Sequence, residues 1–152
     1  MVTTILSLLL IMLSYMAIIF VIASLKKDNS IVDVAWGLGF VLIACITFFN
    51  NNTGDLRKQI ATFLITLWGL RLSIHLLIRN WNKGEDKRYA AMRNRWGSLV
   101  LIKSFFTIFM LQGILIIVIS LPIIFMNKYS YSPLNYLDIF GITFWIIGFI
   151  FE

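Results

Sequence analysis

Long apolar runs without charged residues dominate the chain. Charged side chains are absent from residues 1–25, 34–54, 104–127 and 139–151, and residues 59–78 contain only Arg71. A helix needs about 20 apolar residues to cross the ~30 Å hydrocarbon core of a bilayer. Because the runs are continuous rather than alternating, they favour helices over a β-barrel. The pattern therefore predicts four membrane-spanning helices, at residues 3–25, 31–49, 59–79 and 104–126.

A fifth apolar run begins near residue 137 and reaches the end of the sequence at Glu152. It is shorter than the ~20 residues of a normal span, so we expect a truncated last helix. The first run lacks a basic n-region and exceeds the ~7–15 residues of a signal-peptide core, which predicts a retained helix. The sequence thus predicts an all-α, polytopic transmembrane bundle of about five helices, with residues 1–152 forming a single domain.

Composition supports a membrane protein and excludes several other classes. Hydrophobic residues make up 60% of the chain and charged residues 13%, against about 45–50% and about 25% in soluble domains. This excludes a soluble globular enzyme, a disordered chain and a disulfide scaffold. The single cysteine, Cys45, cannot form an intrachain disulfide, and no spacing of His, Cys and acidic residues predicts a metal site.

The distribution of Lys and Arg predicts an orientation. The loops at 26–30 and 79–103 carry nine of these residues, whereas the opposite side carries Arg57, Lys58 and Lys128. By the positive-inside rule, loop 80–102 is cytoplasmic, the N-terminus lies outside and Glu152 approaches the cytoplasm. The net charge of +6 therefore reflects topology and contact with a lipid bilayer. It does not indicate nucleic-acid binding.

The second predicted span contains one acid, Asp33, near its start. Ser30 and Asp33 have the spacing of a capping box, so Asp33 could serve only to stabilise the start of the helix. Alternatively it belongs to a polar site. Farther along, small residues at helical spacing predict close packing against another helix; they are Ala35, Gly37, Gly39 and Ala44.

The third predicted span carries a polar stripe. Trp68, Arg71, His75 and Arg79 recur at three- and four-residue intervals, which places them on one helix face. Arg79 can extend to the membrane surface, but Arg71 lies ~12 Å deeper. An arginine at that depth needs a partner and is a candidate functional residue. The alternative is an ion pair that only fixes helix packing.

Helical rise places the candidate catalytic residues at similar depth. Asp33 lies ~5 Å and His75 ~6 Å from the cytoplasmic ends of their helices. Glu152 lies about five residues short of the expected end of the fifth helix. The sequence therefore predicts one polar layer of Asp33, His75 and Glu152 within reach of Arg71.

The basic loop between the third and fourth spans has two interpretations. Tyr89, Met92 and Trp96 share a helical face, which predicts an amphipathic helix in the membrane interface. The second interpretation is a binding site in which Arg88 and Tyr89, together with Arg79, contact a phosphate-bearing cofactor. The planar fork of donors on arginine is suited to phosphate.

Four motifs in order carry a resemblance to a known family. The chain resembles the bacterial branch of the steroid 5-alpha-reductase-like membrane family, over nearly its whole length. The motifs are Asp33-Val34-Ala35-Trp36-Gly37-Leu38-Gly39-Phe40; Leu67-Trp68-Gly69-Leu70-Arg71-Leu72 with His75 and Arg79; Gly84-Glu85-Asp86-Lys87-Arg88-Tyr89; and Gly148-Phe149-Ile150-Phe151-Glu152.

The resemblance implies a membrane-embedded reductase. Such an enzyme would use NADPH to reduce an activated carbon–carbon double bond in a steroid- or lipid-like substrate. The family's proteins continue for another hundred or so residues, which carry an Arg-His-Pro-Asn-Tyr-type stretch and most of the expected cofactor contacts. We therefore expect this chain to be the N-terminal half of such an enzyme, and inactive alone. The alternatives are a fragment of an isoprenylcysteine-type methyltransferase that uses S-adenosylmethionine, or a small non-enzymatic membrane protein.

Overall fold

The computed structural model describes residues 2–51, 54–81, 83–129 and 133–151. In these residues the regular structure is entirely helical. A three-residue 3₁₀ turn, Gly97–Leu99, and a π-helical segment, Phe105–Met110, join consecutive α-helices. The α-helices are α1 (Val2–Lys26), α2 (Ile31–Asn50), α3 (Leu56–Asn80), α4 (Lys87–Trp96), α5 (Val100–Ser104), α6 (Leu111–Ile119), α7 (Leu121–Tyr129) and α8 (Tyr136–Phe151).

This architecture confirms the predicted helical membrane bundle. Four helical segments are long and apolar enough to cross a membrane: α1, α2, α3 and the continuous segment Lys87–Ile119, which includes α4, α5 and α6. The predicted fifth helix is observed as α8, a shorter apolar helix of 16 residues. Observed and predicted bounds of the first three helices differ by three residues or fewer.

The fourth predicted span, residues 104–126, is not one regular helix. It begins earlier, at Val100, widens into the π-helical segment and is interrupted by a turn at Ser120. Pro122 lies two residues later, in the first turn of α7, and proline has no N–H to donate and clashes with the preceding helical turn. Helix α7 therefore starts a new segment after the break. Hydrophobicity alone predicted the apolar run correctly but did not reveal this interruption.

Polar caps define the ends of the helices next to the basic loop. The side chain of Asp86 accepts a hydrogen bond from the Arg88 amide at 2.9 Å and caps the start of α4. Helix α4 ends at Gly97, whose φ of 50° is readily adopted by glycine. A helix is observed at the predicted position, with Tyr89 buried and Trp96 packed against the core, but Met92 of the same predicted face is exposed.

The core of the bundle lies between α1, α2, the π-helical segment and α6. Met12 and Met16 of α1, Ile43 of α2, and Phe109 and Ile116 of the fourth span are almost completely buried. Methionine and branched side chains fill such irregular space well. This core holds the four elements in a fixed arrangement, and α3 packs against it through α2.

Two glycines allow α2 and α3 to cross in close contact. A Cβ atom on Gly37 would lie 2.6 Å from the carbonyl oxygen of Gly69, and one on Gly69 would lie 2.7 Å from that of Gly37. The Ser73 hydroxyl donates a hydrogen bond to the Val34 carbonyl across the same crossing, at 2.8 Å. The predicted role of small residues in helix packing is thus confirmed, and the crossing fixes α3 relative to α2.

Helix α8 lies at the edge of the bundle beside α3. Near its start, Asp138 pairs with Arg57 of α3 at 2.6 Å. Near its end, the Phe149 carbonyl accepts a hydrogen bond from Arg71 of α3. Arg57 and Asp138 lie near the starts of α3 and α8, and Arg71 and Phe149 lie farther along the same two helices. Helices α3 and α8 therefore run in the same direction.

Candidate functional site

Asp33 lies at the centre of a polar cluster formed by α2 and α4. Its Oδ1 accepts a hydrogen bond from the Tyr89 hydroxyl at 2.6 Å, and its Oδ2 accepts one from Arg88 at 3.1 Å. Arg88 also contacts Asp86 at 3.1 Å. The Tyr89 side chain is buried, whereas that of Arg88 is 65% exposed. Asp33 therefore connects a buried hydroxyl with a guanidinium that is open to solvent.

These contacts decide between the two interpretations of Asp33. Ser30 is the N-cap of α2, but its side chain makes no capping hydrogen bond. The Ser30 amide instead donates to Asp28 at 2.9 Å. The capping box between Ser30 and Asp33 is therefore not formed, because the Asp33 carboxylate points to Arg88 and Tyr89 of α4.

The loop before α4 is anchored to the bundle by a second acid, Glu85. Its carboxylate accepts two hydrogen bonds from Arg93, both at 2.9 Å, and one from the Asn29 amide at 2.8 Å. The Asn29 side chain in turn donates to the Ser104 hydroxyl at 3.0 Å. A bidentate arginine–carboxylate pair is strong and directional. Glu85 thus fixes the loop so that the following residues, Arg88 and Tyr89, reach Asp33.

Hydrogen bonds keep both loop acids ionised. Burial alone would raise the pKa of Glu85, but hydrogen bonds from the Arg93 guanidinium and the Asn29 amide outweigh it and hold this pKa below its ordinary value. The backbone amide and the guanidinium of Arg88 lower the pKa of Asp86. At neutral pH the loop therefore carries fixed negative charges that orient its arginines.

Two cavities meet at the cluster. The smaller, of about 340 Å³, lies between α2, α3, α4 and α6. Four of its lining residues are apolar or aromatic, namely Trp36, Leu72, Leu76 and Leu115, and four are polar or charged, namely Asp33, Arg79, Arg88 and Gln112. The larger, of about 900 Å³, is lined by Arg79, Asn80, Lys83, Gly84, Glu85, Asp86, Lys87 and Arg88. Arg79 and Arg88 line both cavities, so they lie at the boundary between the larger, cationic cavity and the smaller, more apolar one.

The residues of the polar stripe predicted on α3 contact different parts of the structure. Arg79 lines both cavities. Arg71 instead faces α8, where it donates to the Phe149 carbonyl and lies 4.4 Å above the centre of the Phe149 ring. His75 is exposed and lines neither cavity. Within the described part of the chain, the hydrogen bonds of Asp33 go to Arg88 and Tyr89 rather than to Arg71 or His75.

Of the predicted layer of Asp33, His75 and Glu152 around Arg71, the structure describes Asp33, His75 and Arg71. Glu152 lies outside the described residues. The other three do not form one contact network, because Asp33 turns toward α4 while Arg71 turns toward α8. Depth along the membrane normal was estimated from helical rise, but rise does not fix which side of a helix a residue faces.

Two contributors to the site were not selected from the sequence. Gln112 lines the smaller cavity, and its Oε1 is buried without a hydrogen-bond partner among the described residues. It is the only polar side chain in residues 108–119, which was the available signal. The second contributor is the Glu85–Arg93 pair. Glu85 precedes the start of α4 and Arg93 lies eight residues later within it, so helical spacing alone did not indicate their contact.

Comparison with known proteins gives one match. A family model described as "Protein of unknown function (DUF1295)" matches residues 19–152. Searches of curated proteins and of solved structures found no match. The matched range includes the last third of α1 and every later helix, with Asp33, Arg79, Arg88 and Tyr89. The chain therefore belongs to the DUF1295 family of proteins of unknown function.

Proposed function

We propose that this chain provides the substrate-facing part of a membrane-embedded, NADPH-dependent reductase of carbon–carbon double bonds in steroid- or lipid-like molecules. The observation that carries the proposal is the junction at Arg79 and Arg88, where a cationic cavity meets an apolar one. A reductase of this type needs these two environments side by side. The resemblance of the family's motifs to steroid 5-alpha-reductase-like proteins supports the same reaction.

The larger cavity fits the charge of the cofactor. Four cations line it, Arg79, Lys83, Lys87 and Arg88, against two acids. One of those acids, Glu85, is already paired with Arg93. NADPH carries a diphosphate and a separate phosphate, and arginine binds such groups through parallel N–H donors. Arg79 and Arg88 would hold these phosphates, with Tyr89 supporting Arg88 through their common partner Asp33.

The smaller cavity fits the substrate. Trp36, Leu72, Leu76 and Leu115 provide apolar walls. The polar groups are Gln112, Asp33 and the two arginines shared with the larger cavity. Small-molecule sites combine apolar walls with a few polar groups in this way. A lipid could enter from the membrane, with its carbonyl group directed toward the polar end of the cavity.

The polar cluster would supply a proton. When bound, NADPH would supply a hydride to the β-carbon of the enone, and the π electrons would move to the carbonyl oxygen. The Tyr89 hydroxyl is a neutral O–H donor within the cluster, and we assign it as the source of the proton that reaches the oxygen. Water would then protonate the α-carbon while the enol O–H returns its proton to the Tyr89 oxygen, so that one hydride and one proton are added in all, and Asp33 keeps Tyr89 in position.

Further protein would be needed to close the cavity around the cofactor. Arg88 is 65% exposed and Arg79 is exposed as well. Hydride transfer requires the reacting atoms to be held about 3–3.5 Å apart. We therefore expect residues 1–152 alone to bind NADPH weakly and to transfer no measurable hydride.

Ligand choice distinguishes the proposal from its alternatives. S-adenosylmethionine carries a sulfonium cation and no phosphate, so a cationic cavity should repel it, whereas NADPH should be attracted. Equilibrium binding of each ligand to the detergent-purified chain should show NADPH binding that weakens as salt is added, and no S-adenosylmethionine binding. Binding of S-adenosylmethionine instead would support the methyltransferase, and binding of neither ligand would support a non-enzymatic protein. Either result overturns the proposal.

A further inference from the structure

A third cavity lies at the same end of the bundle, on the other side of α2 and α3. It has a volume of about 290 Å³ and is separate from the two cavities described above, although Asn80 also borders the larger of them. Its lining residues are Lys26, Asp28, Ser30, Ile31, Val34, Leu77, Asn80 and Trp81. The polar residues come from the loop after α1 and the end of α3, and the apolar residues come from the adjoining turns of α2 and α3.

The polar end of this cavity presents groups of both charges. The Lys26 side chain is exposed, and the Asn80 Nδ2 is buried without a hydrogen-bond partner among the residues that the structure describes. Both are donors suited to a phosphate. Asp28 uses Oδ1 to accept from the Ser30 amide and hydroxyl, which leaves its Oδ2 as an acceptor. A ligand that carries a phosphate and an N–H cation would satisfy all three groups.

The position of the cavity matches the headgroup level of a bilayer. Trp81, directly after α3, is 65% exposed, and tryptophan is enriched at membrane–water interfaces. Exposed apolar side chains continue from the cavity toward the middle of the spans at helical spacing. On α3 these are Leu77, Ile74 and Leu70, and on α2 Leu38 follows Val34. This strip provides a surface on which acyl chains can lie.

We propose that this cavity binds a phospholipid whose headgroup contains a phosphate and a primary amine, as in phosphatidylethanolamine. The phosphate contacts Lys26 and Asn80, and the ammonium group donates to Asp28. Phosphatidylglycerol offers the phosphate without the amine. Phosphatidylcholine has a quaternary ammonium group, which has no N–H to donate. The site therefore distinguishes headgroups through Asp28 and binds the shared phosphate through Lys26.

Lipid competition tests the proposal on the full chain. Native mass spectrometry of the detergent-purified protein with an equimolar mixture of phosphatidylethanolamine, phosphatidylglycerol and phosphatidylcholine should show about two- to fivefold higher retention of the first lipid, the range expected for a partly exposed ion pair. Equal retention of the three lipids, or preference for either of the other two, overturns the proposal.

Two variants and a control separate the contributions. Lys26→Ala should reduce retention of all three lipids by a similar factor. Asp28→Asn keeps an oxygen that can cap α2, so the fold is retained; it should abolish only the preference for phosphatidylethanolamine. Lys103→Ala removes the same charge from an exposed site in the fourth span, outside this cavity, and should leave retention unchanged. Equal effects of Lys26→Ala and Lys103→Ala would show that only general surface charge acts, and would contradict the assigned site.

Discussion

The crossing of α2 and α3 allows a sharp test of the fold, because it has no space for a methyl group at Gly37. A Cβ atom there would lie 2.4 Å from the Ser73 hydroxyl oxygen and 2.6 Å from the Gly69 carbonyl oxygen, well inside the 3.4 Å at which ordinary contact begins. The hydroxyl can rotate, but it would then lose its hydrogen bond to the Val34 carbonyl. The Gly69 carbonyl belongs to the backbone, so the two helices must separate by most of 1 Å.

The expected cost of Gly37→Ala follows from these contacts. Overpacking costs about 1–3 kcal/mol, and the lost hydrogen bond about 1 kcal/mol. Alanine's higher helix propensity returns up to about 1 kcal/mol. The net loss is therefore about 1–4 kcal/mol, which corresponds to a fall of roughly 2–16 °C in Tm for a chain of this size.

Thermal unfolding in detergent, followed by tryptophan fluorescence and circular dichroism, measures this effect. Gly148→Ala in α8 is the matched control, since nothing lies within 4 Å of the added atom. Its Tm should be equal to or above that of the parent. If Gly37→Ala unfolds at the same temperature as Gly148→Ala, the close helix crossing is wrong.

Three further substitutions test the polar contacts. Arg71→Ala should lower the Tm, because the hydrogen bond to the Phe149 carbonyl is charge-assisted and worth about 1.5–3 kcal/mol. Arg71→Lys should restore only part of the lost stability. An Arg71→Leu protein as heat-resistant as the parent would contradict this contribution. Asp33→Leu should lower the Tm more than Tyr89→Phe, because the Asp33 substitution removes the acceptor of the buried Tyr89 hydroxyl. The reverse order of Tm values would argue against the hydrogen bond between Tyr89 and Asp33. The pKa of Glu85 lies below its ordinary value, so its stabilisation is present above pH 4.5 and is lost as the pH falls through the lowered pKa. The Tm difference between the parent and Glu85→Gln should accordingly be constant near neutral pH and shrink in acid, and a difference that grows in acid would refute the assignment.

The sequence predicted the helices well because a membrane-spanning helix requires about 20 consecutive apolar residues, and such a run can be identified in the sequence itself. Charge-free runs located α1, α2, α3 and α8 within a few residues. The break at Ser120 was missed, since Pro122 lies within an apolar run that hydropathy treats as uniform. The predicted orientation of the bundle stays a prediction.

The candidate site was predicted less completely because it depends on which way each helix faces. Asp33, Arg79, Arg88 and Tyr89 were selected from the sequence, and the structure places them around adjoining cavities. Their grouping could not be predicted, since Asp33 and Tyr89 are 56 residues apart and meet only through the packing of α4 on the bundle. The grouping of Arg71, His75 and Glu152 with Asp33 was predicted from their depth, which does not determine lateral contact.

The central claim, that Arg79 and Arg88 hold the cofactor's phosphates where the two cavities meet, is tested most directly by an NADPH titration of variants. Dissociation constants would be measured for the detergent-purified parent, Arg79→Ala, Arg88→Ala and Lys103→Ala at low and high salt. Lys103→Ala is the control, because it removes one exposed cation from the same basic end but outside the cavities. The account predicts that both arginine variants bind NADPH several-fold more weakly than the parent and lose part of the salt dependence, while Lys103→Ala matches the parent. Equal affinity of all four proteins for NADPH would contradict it.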